Sequence, residues 1–126
     1  MIRGTTAQFK FKLPYKFDEL DTATITFWQS SVSGAKVLVK RVKDQCSKAD
    51  NDEYSLCVSL QPEDTLLFTD KLKAKVQLRA VHAGTAFASK EELITVYPIN
   101  DEVIDTELPK PSEEGYVILD GEEIDG

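Results

Sequence analysis

Apolar and polar positions alternate along most of the first hundred residues. In AQFKFKLP, Phe9, Phe11 and Leu13 alternate with Lys10 and Lys12, and Pro14 ends the run. A period of two sends successive side chains to opposite faces of an extended chain, which predicts a strand over residues 6–13. DTATITFWQ, residues 21–29, puts Ala23, Ile25 and Phe27 on one face and Thr22, Thr24, Thr26 and Trp28 on the other. The intervening PYKFDELD reads as a connection with a short helical turn. After a turn at SVSG, AKVLVKRV (residues 35–42) is a strand in which Val37 and Val39 are expected to share a face. KDQCSKADNDE is polar and aperiodic, as a hairpin tip is. YSLCVSL, residues 54–60, returns with Tyr54, Leu56, Val58 and Leu60 on one side.

QPEDTLLF places Pro62 at a first helical position with Glu63 and Asp64 in the first turn. It predicts one helical turn whose Leu66 and Phe68 plug an open end of the sheet. LKAKVQLRAV, residues 72–81, alternates again, with Leu72, Ala74, Val76, Leu78 and Ala80 inward. HAGT is a turn, and residues 86–97 carry the last strand of the body. Six or seven short strands about a dozen residues apart, with no long helical period, predict an all-β fold. Clean alternation favours antiparallel sheets with one wet face. The expected fold is a small antiparallel immunoglobulin-like β-sandwich with one short helical turn.

Charge divides the chain in two. The whole carries a formal net charge of −7, yet residues 1–97 hold 14 Lys/Arg against 12 Asp/Glu. Residues 98–126 hold Lys110 against ten acidic residues, together with three of the five prolines. We therefore expect a sandwich domain over residues 1–97 and a largely flexible acidic tail over residues 98–126. Within that tail YVILD, residues 116–120, is apolar enough to add a strand to a sheet edge of this chain or another. The near-neutral body argues against nucleic acid as a partner. No apolar run approaches the roughly 18 residues of a membrane helix, so no membrane partner is expected. A basic region followed by an apolar run, as in a secretory signal, is not found at the start.

Candidate chemistry is sparse. His82 is the single histidine, and it falls at a strand end beside a turn. Cys46 and Cys57 would face each other if the hairpin turned at Asn51-Asp52, but two free thiols are the expectation for a reducing compartment. One His and two Cys match no structural zinc pattern. The tail carboxylates lack the ligand order of a calcium loop. Phosphate-binding, dinucleotide and serine-hydrolase motifs are missing. Trp28 and Tyr54 are candidates for a sugar platform, although aromatics in sandwich strands more often pack. The expectation is a chain that is not an enzyme, with no catalytic residues, no metal and no cofactor.

Several stretches resemble, in order, small tail-region structural proteins of phages and prophages of Gram-positive gut bacteria. They are also similar to the immunoglobulin-like N-terminal domain of the phage baseplate upper protein. MIRGTTAQFKFKLP matches a start of the form M-[IR]-x-G-T-T-P followed by F-x-[FL]-P, and ATITFWQ matches a strand ending in aromatic-x-Q. SLQPEDTLLF follows L-[ST]-x-E-[DE]-T-L-x-F with Gln61 at the Ser/Thr position, and KAKVQLR matches K-x-x-V-Q-[LV]-R. Ala7 stands where that group has proline, and nothing from Pro109 to Gly126 carries over.

The resemblance implies a non-enzymatic virion structural or assembly protein of the tail, baseplate or fibre region. Such a protein is made in the bacterial cytoplasm and needs no leader. Its partners would be other phage structural proteins or copies of itself, as a homo-oligomer. Candidate contact elements are Phe9, Phe11 and Trp28 in the body and Tyr116, Val117, Ile118 and Leu119 in the tail. Two other readings stand beside it. One is an immunoglobulin-like carbohydrate-binding or adhesion module. The other is an acidic decoy whose tail occupies a basic host protein.

Overall fold

The computed structural model describes residues 1–98 and the backbone of residues 116–120. Its strands are β1 (Ala7–Lys12), β2 (Thr22–Ser31), β3 (Gly34–Val42), β4 (Ser47–Ala49), β5 (Asp52–Leu60), β6 (Ala74–His82), β7 (Thr85–Ala88), β8 (Glu92–Ile94) and β9 (Tyr116–Asp120). A single-turn helix, α1 (Pro62–Thr65), and short 3-10 turns at Phe17–Glu19 and Lys43–Gln45 complete it. The strands form two sheets. One runs β4-β5-β1-β9; the other runs β3-β2-β6-β7, with β8 also paired to β6. Every pairing is antiparallel except β1 with β9. The protein is a small all-β antiparallel sandwich, and no helix among the described residues is long and apolar enough to cross a membrane.

Alternation explains the core. Phe9 and Phe11 from β1, Ile25 and Phe27 from β2, Leu56 and Leu60 from β5, and Val76 and Leu78 from β6 are fully buried between the sheets. Phe9 and Phe27 meet across the sandwich with ring centroids 5.2 Å apart, and Phe68 stands edge-on to Phe27 at 6.5 Å. Each such ring contributes about 1.5–3 kcal/mol of burial. Phe9 and Phe11 are thus core residues, not contact residues as the sequence suggested. Their strand also has a neighbour on either side, β5 and β9.

Four expectations on strand detail are corrected. Val39 is buried whereas Val37 is 58% exposed, so the two do not share a face. Phe27 pairs with Val39 but Trp28 pairs with Val37, which makes Leu38 an inserted bulge residue that reverses the alternation. Phe68 plugs the sandwich as expected, but Leu66 points to solvent because the chain leaves α1 in a turn. The segment at residues 86–97 is two strands rather than one. Between them Ser89, fully buried, receives the Leu78 N–H on its hydroxyl at 2.9 Å and donates its own N–H to the Leu78 carbonyl at 2.8 Å. That break, the three-residue β4 and the tail strand raise the strand number from the expected six or seven to nine among the described residues.

The β6–β7 turn needs a left-handed backbone at both central residues. Ala83 has φ 49° and Gly84 φ 81°. This suits a two-residue hairpin and is costly for a residue with a Cβ. In the tail, residues 116–120 form the edge strand expected of YVILD, running parallel to β1 from Gln8↔Tyr116 to Lys12↔Asp120. The side chains of Tyr116, Val117, Ile118 and Leu119, and the rest of the expected tail after Pro98, lie outside the described residues.

Candidate contact surface

The threonines of TATITFWQ have a purpose once β2 lies at the centre of its sheet. Their alternation with Ala23, Ile25 and Phe27 turns them away from the core, onto the outer face. Register carries that face across the neighbouring strands. Thr24 pairs with Val42 on one side and Arg79 on the other, and Arg79 continues to Ala88. Thr26 lies between Lys40 and Gln77. Trp28 lies between Val37 and Lys75, and Lys75 continues to Leu93. No carboxylate occupies any of these positions.

This face joins two surfaces. At one end Val37, Trp28, the Lys75 stem and Leu93 form an apolar row across four strands, with Val37 and Leu93 each 58% exposed and Trp28 half-buried. At the other, Thr22, Thr24, Thr26, Lys40, Arg79 and Ala88 border a shallow depression of about 430 Å³. Val42 adds a further exposed apolar side chain. Lys40, Lys75 and Arg79 have no carboxylate within ion-pairing distance among the described residues, whereas Lys10, Lys16, Arg41 and Lys48 each have one. Exposed apolar area beside unpaired cations is chemistry suited to holding another chain.

Of the candidate contact residues, Trp28 alone among those with described side chains falls on this surface. The others on the face were missed, since a face built from three or four strands has no local motif. A signal existed: residues 22–43 and 71–90 contain no Asp or Glu. Trp28 and Tyr54 belong to different sheets and form no common platform.

The remaining reactive groups are engaged elsewhere. His82 stacks on Tyr15, with centroids 3.8 Å apart and ring planes 9° from parallel, and approaches Glu19 at 3.8 Å. Both cysteines are free. Burial pushes the Cys46 thiol up to about 11, against an ordinary 9.0, and raises the Cys57 thiol as well. Neither is therefore a ready nucleophile at neutral pH. Among the described residues no three His, Cys, Asp or Glu side chains converge to hold a metal.

The motif residues from which the family resemblance was read serve as internal fastenings. Gln29, buried, donates to the carbonyls of Thr69 (2.8 Å) and Leu72 (2.9 Å) and accepts from the Thr69 N–H (3.0 Å), closing the loop after α1. Thr65, also buried, donates to the Thr5 carbonyl at 2.8 Å and so ties the GTT segment to α1. Asp64 accepts from Arg41 at 2.7 Å and from the Gln61 N–H at 2.8 Å, linking β3 to the helix start. Compared with known proteins, the chain matches no family model and none of the curated proteins.

Proposed function

We propose that this chain is a non-enzymatic structural or assembly protein of a phage or prophage particle, of the tail, baseplate or fibre region. It is made in the bacterial cytoplasm and works by protein–protein contact through the outer face of the five-stranded sheet. The observation that carries the contact reading is that face itself. It combines an apolar row, three cations without an ion-pair partner among the described residues, and no carboxylate at its registered positions on β3, β2, β6, β7 and β8, where the one acid of β8, Glu92, pairs with the inward Val76. The phage context rests on the ordered resemblance of MIRGTTAQFKFKLP, ATITFWQ, SLQPEDTLLF and KAKVQLR. Gln29, Asp64, Thr65 and Phe68 from those stretches bond or pack in ways that fix the loop arrangement.

Mass spectrometry of particles released by prophage induction tests the reading. A fixed ratio of this chain to the tail proteins is expected, and Trp28→Ala should remove the chain from particles while leaving it folded in the cytoplasm. Particles that assemble at full number without it would sink the proposal. An immunoglobulin-like adhesion module is the second reading, favoured by the half-exposed Trp28 beside threonine hydroxyls. Glycan-array binding lost in Trp28→Ala would support that one instead.

A further inference from the structure

We infer that the carboxylate-free face of the five-stranded sheet receives the acidic C-terminal region of a second copy of this chain, so that copies join head to tail. This rests on reading the face as a protein contact surface, and it names the occupant.

Charge supplies the first argument. Lys40, Lys75 and Arg79 stand on one sheet face with no acidic neighbour in register, and no carboxylate of the described residues pairs with them. A surface of one sign repels itself and favours a partner of the other sign. The same polypeptide carries that partner, since residues 98–126 hold ten acidic residues against Lys110 alone. The match extends to apolar groups. DEVIDTE, residues 101–107, sets Val103 and Ile104 among four carboxylates, and the face sets Trp28, Val37 and Leu93 beside its cations. Both halves of the complementarity are therefore encoded in one chain.

Topology argues for a second copy over the chain's own tail. Tyr97 is bridged to Ile2, and Tyr116 pairs with Gln8 on β1 in the other sheet. The C-terminal strand of the same chain is thereby held on the four-stranded sheet, opposite the face in question. Because the face and the tract are different surfaces, the contact is heterologous: it gives rings if the rotation closes and open chains if it does not.

Sedimentation velocity on the full chain tests this at about 0.05 M and about 0.5 M salt, where screening lengths differ several-fold. The wild type should associate at low salt and dissociate at high salt. Lys40→Glu with Arg79→Glu should be monomeric, and so should Asp101→Asn with Glu102→Gln, Asp105→Asn and Glu107→Gln. An equimolar mixture of the two variants should form a one-to-one pair and nothing larger, because one intact face meets one intact tract. All substituted body residues are exposed, and Lys40→Gln with Arg79→Gln repeats the test without reversing charge. A wild type that stays monomeric at low salt, variants that associate like the wild type, or a mixture that stays apart would each overturn the inference. Loss of Trp28→Ala protein from particles, with no self-association in solution, would leave the contact-surface reading intact and remove only the second copy as occupant.

Discussion

The outer faces of the two sheets differ in how their charges are settled. On the four-stranded sheet, Lys10 meets Asp52 at 3.5 Å, and Lys16 and Lys48 beside it meet Glu53 and Asp18. Outward positions of β5 are small or polar, Ser55, Cys57 and Ser59, and Ser55 is itself buried and hydrogen-bonded. On the outer face of the five-stranded sheet, Lys40, Lys75 and Arg79 have no carboxylate partner among the described residues, and Val37, Val42 and Leu93 remain in water. Neither arrangement follows from folding alone. A solvated sheet face normally mixes both signs, as the four-stranded face does. The absence of acid from the other is a property of β2, β3, β6, β7 and β8 together. A surface of that kind is chemistry suited to being covered by a partner.

The comparison is sharpest between adjacent residues of β2. Phe27 is fully buried against Phe9 and Phe68, while Trp28 lies on the outer face. Phe27→Ala should lower the unfolding free energy by about 3–5 kcal/mol in urea titration, the usual range for an aromatic deleted from a core. Trp28→Ala should cost less than that, because the indole is only half-buried. Equal losses at the two positions would mean that Trp28 is a packing residue and that the outer face is misread.

Next in size comes Asp64, which holds both Arg41 and the Gln61 N–H. The pair is only about 20% exposed on either side chain, so solvent screens it less than a surface pair. Asp64→Ala should cost roughly 1–3 kcal/mol, combining a lost cap with a partly buried cation left unpaired. Proteolysis in the loop after α1 should accelerate in the same variant.

Cys46 gives an effect on the order of 1 kcal/mol after allowance for solvent screening. Its folded-state value, about 11, lies above the ordinary 9.0, and burial is the first cause. The neutral thiol is thus the form the fold prefers. Stability is fully present below pH 9 and is lost as pH rises from 9 through about 11. Urea midpoints measured across that window should fall less steeply for Cys46→Ser than for the wild type. A gain of about 0.5–1 kcal/mol is expected of Ala83→Gly, since glycine adopts φ 49° without a Cβ penalty.

What could be read from the sequence was whatever a single strand determines. The faces of β2 and β6 were legible because each strand has one buried side and an unbroken period of two. Val37 was misassigned because the bulge at Leu38 arises from how β3 hydrogen-bonds to β2, which no local pattern records. Phe9 and Phe11 read as a contact edge from sequence because the sequence does not say which strands flank β1. The candidate contact face was hidden for a related reason. Its residues come from separate segments, and the pairing of β2 with β3 and β6, and of β6 with β7 and β8, aligns them. Its trace in the sequence was negative, two long stretches without acid.

The smallest effect expected is the most informative. Arg79→Ala should leave the urea midpoint within about 0.5 kcal/mol of wild type, as surface substitutions away from special features generally do. Arg79 has no carboxylate partner among the described residues, so no ion pair is broken. Removing one of three like charges from a face even relieves some repulsion. If stability falls clearly instead, Arg79 is held by an interaction within the fold, and the face is a completed surface like that of the four-stranded sheet. If stability is unchanged while association weakens, the cation serves another chain. In that outcome folding accounts for the position of Arg79 and binding for its charge.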